Sequence, residues 1–165
     1  MMMKILKILG STFFLAMATM TSAVADEASE ENSDTRTSEL FLVVYQDPSC
    51  GCCGKWVKHM RDNGFTVKSV LESNMNARKQ SLGIPPKLRS CHTAVIDDYV
   101  IEGHVPAADV KRLLNERPEG DGLAVPGMPL GSPGMEYGER RQAYDVLLFD
   151  AAGDTAVFKH HPATP

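Results

Sequence analysis

Leu40-Phe41-Leu42-Val43-Val44-Tyr45 leads, three residues later, into Ser49-Cys50-Gly51-Cys52-Cys53-Gly54 and then Lys55 to Arg61. The first piece is β-branched and aromatic without a polar break, which predicts a buried central strand. From Cys53, apolar side chains recur at Trp56, Val57 and Met60, along one helical face. Lys55, Lys58, His59 and Arg61 fall mostly on the other face, which predicts a solvated His59. Asn63-Gly64 supplies a residue free to take positive φ, where the helix should end. A strand, a cysteine turn and a helix place thiols against free backbone N–H groups and the positive end of the helix dipole. Lys55 and Lys58 add positive charge, so thiolate is favoured there. Thiolate is both the nucleophile of disulfide exchange and the form that binds metal.

Before this stretch the chain reads as a processing signal and a tether. Lys4 and Lys7 precede an apolar run from Ile8 to Met20, and Ala23-Val24-Ala25 offers small residues for cleavage. Residues 1–25 are therefore expected to be a secretory signal peptide. The apolar run is too short and too interrupted by Gly10, Ser11 and Thr12 to make a stable membrane anchor. Residues 26–39 hold six acids, one base and no large apolar side chain, a composition that stays disordered. Cleavage removes two lysines and no acid, so the mature charge is 15 − 21 = −6. A mildly acidic domain without basic runs argues against nucleic acid and against an anionic membrane surface.

Beyond the first helix, Phe65 to Leu71 alternates like a strand, and Asn74 to Ser81 reads as a polar helix. Gly83-Ile84-Pro85-Pro86 breaks the chain before Cys91-His92-Thr93. Ala94-Val95-Ile96, the turn Asp97-Asp98 and Tyr99-Val100-Ile101 predict a β-hairpin, followed by a helix from Ala107 to Asn115. The order β-α-β-α-β-β-α, with a parallel first pair, is that of a thioredoxin-like domain: a mixed α/β sheet flanked by helices. Residues 118–138, rich in Gly and Pro, are expected to be turn and loop, and they contain Pro-Gly-Met twice, at 126–128 and 133–135. A last hairpin pairs Tyr144–Phe149 with Thr155–Phe158. The domain is expected to span residues 40–161, with a tail at 162–165.

Two chemistries compete for the cysteines. Cys50 and Cys53 have the C-x-x-C spacing of a thiol–disulfide oxidoreductase, one thiol attacking and the other resolving. Cys52 has no task in that mechanism, and clustered cysteines are unlike a disulfide scaffold. Cys91 precedes the third strand, where a thioredoxin-like chain returns beside the active turn. Such enzymes carry Thr-Pro there, whereas this chain has Thr93-Ala94, leaving room for the Cys91 sulfur. Four sulfurs then converge as a metal site. Zinc accepts four thiolates, but a crowded C-x-C-C suits one tetrahedron poorly. Cu(I) is softer and tolerates bridging thiolates, so a small multinuclear Cu(I) cluster is expected. Met128 and Met135 add thioethers, good Cu(I) ligands outside any helical period. His92, adjoining Cys91, and His104, after the hairpin, are weaker candidates; His160 and His161 read as surface residues.

Several of these segments together resemble the CopG-type periplasmic copper-resistance proteins. The resemblance rests on Pro48 to Trp56, Leu88 to Ala94, Tyr99 to Ala107, Gly122 to Pro129, Gly131 to Met135 and Tyr144 to Leu147. It implies a thioredoxin-like fold and a cysteine-bound multinuclear copper site held by Cys50, Cys52, Cys53 and Cys91. Met128, Met135 and His104 match positions of the family. It further implies a role in copper tolerance, by sequestration or by interconverting Cu(I) and Cu(II), which would make the protein a copper oxidoreductase. A monomer that meets copper ions and other periplasmic copper-handling proteins is expected.

Overall fold

Residues 40–164 are described by a computed structural model of the chain. The expected signal peptide and acidic tether lie outside the described residues. In chain order the elements are β1 (Phe41–Gln46), α1 (Gly51–Asp62), β2 (Thr66–Leu71), α2 (Met75–Ser81), a 3-10 turn (Pro86–Leu88), β3 (His92–Ile96), β4 (Tyr99–Glu102), α3 (Ala107–Glu116), β5 (Gly122–Ala124), β6 (Tyr144–Phe149) and β7 (Thr155–His161). They form one mixed α/β sheet of seven strands in the order β2-β1-β3-β4-β5-β6-β7. β1 and β2 run parallel, as a helical crossover between them requires. β3 lies antiparallel beside β1 and pairs with β4 as the expected hairpin. This arrangement is compatible with a thioredoxin-like core extended by the last hairpin.

The expectation of loop throughout 118–138 fails at β5, which joins β4 in parallel and β6 antiparallel. The reason is visible at Gly122. A Cβ there would lie 1.8 Å from the Val100 carbonyl oxygen, so the chains approach closely only because the residue is glycine. Glycine within a strand ordinarily counts against one, and three residues carry too little alternation to outweigh it.

β4, β5 and β6 divide their side chains between two cores. Leu42, Val44, Ala94, Ile96, Tyr99, Ile101 and Leu123 share one cluster with Trp56, Val57 and Met60 of α1 and Val110 and Leu113 of α3. Val100, Ala124 and Phe149 face the other way, against Ile84 and Leu88 around the 3-10 turn. The period-two alternation of a strand makes this split. Cys53, Trp56, Val57 and Met60 are all buried, as their helical spacing predicts. Burying a large apolar side chain stabilises a fold by about 1.5–3 kcal/mol, so these positions anchor the helix that carries the cysteines. No helix of the described residues is long and apolar enough to cross a membrane.

Candidate metal centre

α1 begins at the cysteines themselves. Cys50 is its N-cap in extended conformation, without a side-chain cap and with no acid in the first turn. No carboxylate of the first turn therefore competes for the free N–H groups at the helix start. Cys50 and Cys53 are joined as a disulfide, with Cα atoms 5.5 Å apart, while Cys52 and Cys91 are free thiols. Cys53 is fully buried and the other three are half-buried.

The Cys91 sulfur comes to the turn, as expected of a residue just before β3. Cys52 Sγ lies 3.5 Å from Cys50 Sγ and 3.7 Å from Cys91 Sγ. The four sulfurs of Cys50, Cys52, Cys53 and Cys91 all lie within 4.8 Å of one another. A second group of the same kind joins Cys91 to His92 and His104. Cys91 Sγ is 3.0 Å from His104 Nε2 and 3.2 Å from His92 Nδ1. His104 Nδ1–H donates to the Pro133 carbonyl at 2.8 Å, which leaves Nε2 as the lone-pair nitrogen facing the sulfur. Both histidines are buried, and burial holds both below the usual imidazole pKa. For His92, His104 and Lys79 push in the same direction. Burial, with Cys52 beside it, pushes the Cys91 thiol up to about 12. Without a cation Cys91 is thus a neutral thiol, and a soft metal would replace its proton.

The loop of the two Pro-Gly-Met repeats closes over this group. The first repeat is tied to the strand side, where Ser90 Oγ donates to the Gly127 carbonyl. The second is pressed onto the turn, where a Cβ on Gly134 would lie 2.9 Å from both Cys52 O and Trp56 N. A cavity of about 420 Å³ over Cys52 is lined by Lys55, Leu130, Met135 and Tyr137 among others. Met135 is half-buried in it, whereas Met128 lies outside it and is 53% exposed. Trp56 underlies the site: its Nε1–H donates to Val105 O at 2.9 Å, and its ring sits 4.4 Å from that of His92.

Other histidines have their own partners. His59, expected in solvent, is half-buried and accepts the Ala107 N–H at 3.1 Å, capping α3. Helical spacing places a residue on a face of its own helix but says nothing of a neighbouring helix end. His160 and His161 belong to β7 and pair with Asp145 and Asp109. Sequence reasoning also missed Lys79 and Glu102, a buried pair behind Cys91, because no local pattern links residues 23 apart.

The donor set fits a soft metal. Four sulfurs converge, with a lone-pair imidazole nitrogen beside one of them, and the carboxylates that hard cations prefer are absent from both groups among the described residues. Residues 88–135 match the family described as "Protein of unknown function, DUF411", a span that holds Cys91, His92, His104 and both repeats. No curated protein sequence matches the chain. Two solved structures do. Form 1 of a copper resistance protein CopG is 48% identical, with a TM-score of 0.72, covering 75% of this chain and 98% of that one. Form 2 is 48% identical with a TM-score of 0.71, covering 74% and 98%.

Proposed function

This chain belongs to the family of the copper resistance protein CopG, and from that premise we propose that it handles copper, holding Cu(I) as a multinuclear thiolate cluster on Cys50, Cys52, Cys53 and Cys91. The single observation that carries the reading is the meeting of four sulfurs within 4.8 Å across a gap of some forty residues in sequence. Cu(I) would supply soft, thiolate-bridging coordination, and redox change if Cu(II) is also accommodated. The protein supplies a half-buried pocket, uncapped helix N–H groups that stabilise thiolate charge, and His104 Nε2 next to Cys91. Met135, in the cavity over Cys52, is the better placed of the two thioethers. The bridged form has two free thiols; reduction by two electrons and two protons opens Cys50–Cys53 and yields all four. Residues 1–25 support export to the periplasm, where the protein would act in copper tolerance and exchange copper ions with other copper-handling proteins.

The decisive experiment is anaerobic titration of the reduced protein with Cu(I) against a competing chelator, with metal analysis. Several Cu(I) ions per chain are expected, and Cys52→Ser or Cys91→Ser should abolish cluster formation. A second reading is favoured by the Cys50–Cys53 bridge: thiol–disulfide exchange. In that case Cys52→Ser and Cys91→Ser would keep insulin-reductase activity and Cys50→Ser would abolish it. Retention of that pattern, with no copper taken up, would sink the copper reading.

A further inference from the structure

Behind the strand that carries Cys91 lies a closed ring of polar groups. Lys79 is 3% exposed and Glu102 and Thr93 are fully buried. Lys79 Nζ donates to Glu102 Oε1 at 2.6 Å and to Thr93 Oγ1 at 2.9 Å. Thr93 Oγ1–H donates to Glu102 Oε2 at 2.6 Å, and the Ser90 N–H donates to Glu102 Oε1 at 2.5 Å. Taking two charges out of water is costly, and apolar replacements of similar volume are often neutral or stabilising. Stability alone is thus a weak reason for this pair, and its position offers another.

Thr93 and Glu102 face each other across the β3–β4 ladder. Alternation along the strands puts them on the face of Val100, opposite the face that carries His92, Ala94 and Trp56. The ring therefore touches no metal-facing atom. It grips the backbone instead. One carboxylate holds Ser90 N on one side of Cys91 and the Thr93 hydroxyl on the other, while Gly103 N–H donates to His92 O at 3.0 Å between them. Gly103 permits this approach, since a Cβ there would lie 2.6 Å from Ser90 Cβ. Glu102 also stands two residues before His104, whose Nε2 faces the same sulfur.

We infer that Glu102, neutralised by Lys79 and braced by Thr93, is a positioning residue that clamps the Ser90–Thr93 segment and so sets the Cys91 thiol against Cys52 and His104. Groups that orient metal ligands from outside the coordination sphere typically change metal affinity by roughly 10- to 100-fold when removed. The carboxylate holds two donors of one short segment at once, which restrains the backbone of the two residues between them, Cys91 and His92. Lys79 pairs with the Glu102 carboxylate and supplies no donor to the site itself.

The inference rests on the copper reading, so its test needs one readout with copper and one without. The variants are Lys79→Met with Glu102→Gln together, which removes both charges, and Thr93→Val, with Thr93→Ser as the conservative rescue. Leu113→Ala, in α3, serves as a control that destabilises without touching the segment. Copper-free reduced protein is alkylated with iodoacetamide and the rate at Cys91 followed by mass spectrometry; Cu(I) affinity is measured by chelator competition. Expected are faster Cys91 alkylation and a Cu(I) affinity lower by roughly 10-fold or more in the paired variant, a smaller change in Thr93→Val, return towards wild type in Thr93→Ser, and none in the control. A folded paired variant with wild-type alkylation rate and affinity overturns the clamp, as does an equal change in the control. Wild-type protein that takes up no Cu(I), with the alkylation pattern as expected, sinks the copper reading and leaves the clamp standing.

Discussion

The two Pro-Gly-Met repeats are the same tripeptide in different places. In the first, nothing approaches the space above Gly127, and Met128 is mostly exposed. In the second, Gly134 is wedged against the backbone of the cysteine turn and Met135 lines the cavity over Cys52. Identical side chains thus meet different surroundings, set by which strand end each loop half reaches. The first repeat follows β5 and is tied to Ser90, beside Cys91. The second is held by His104 through Pro133 and closes onto the turn. A repeated motif names candidate ligands, and packing then distinguishes them.

The largest expected difference is structural. Gly134→Ala meets backbone atoms that cannot swing aside, at a φ of +87°, and should cost about 2–4 kcal/mol in urea unfolding. Gly127→Ala, at φ +71° with open space around it, should cost only about 1 kcal/mol from the left-handed backbone. Equal losses would break the contrast between the repeats. Next comes copper. Met135→Leu should weaken Cu(I) competition severalfold while Met128→Leu leaves it unchanged; both swaps conserve volume and should cost less than about 1.5 kcal/mol in stability. The reverse ranking would move the thioether site to the first repeat. Ser90→Ala removes the bond to Gly127 O and should cost about 1 kcal/mol, with faster amide exchange confined to the first repeat.

The smallest effect concerns pH. Burial holds His59 below its ordinary 6.5, while Glu136, which follows Met135, pulls it back. The unfolded chain therefore takes up the proton first. His59 contributes stability above pH 6.5 that declines as pH falls through that value. His59→Gln, which keeps an acceptor for Ala107 N–H, should flatten this acid limb in thermal unfolding. Glu136→Gln should steepen it, tying the second repeat to the cap of α3.

Much of this was legible in order and spacing. The hydrophobic runs and the face of Cys53, Trp56, Val57 and Met60 locate β1 and α1, and the expected return of Cys91 beside the cysteine turn agrees with the 3.7 Å between its sulfur and that of Cys52. The features that escaped are those made by distant pairs. β5 exists because Gly122 admits the backbone of Val100, His59 caps a helix 48 residues away, and Lys79 finds Glu102 across the sheet. None of these has a period, so no local reading of the chain finds them.

Trp56 has a consequence outside energetics. It is the single tryptophan of the chain, buried, with its indole ring against His92. All tryptophan emission from the native protein therefore arises next to the thiols, and Cu(I) uptake, closure of the Cys50–Cys53 bridge and loosening of the loop should each alter its intensity or colour. The unlabelled protein carries its own fluorescent reporter, at the spot where one would choose to place it.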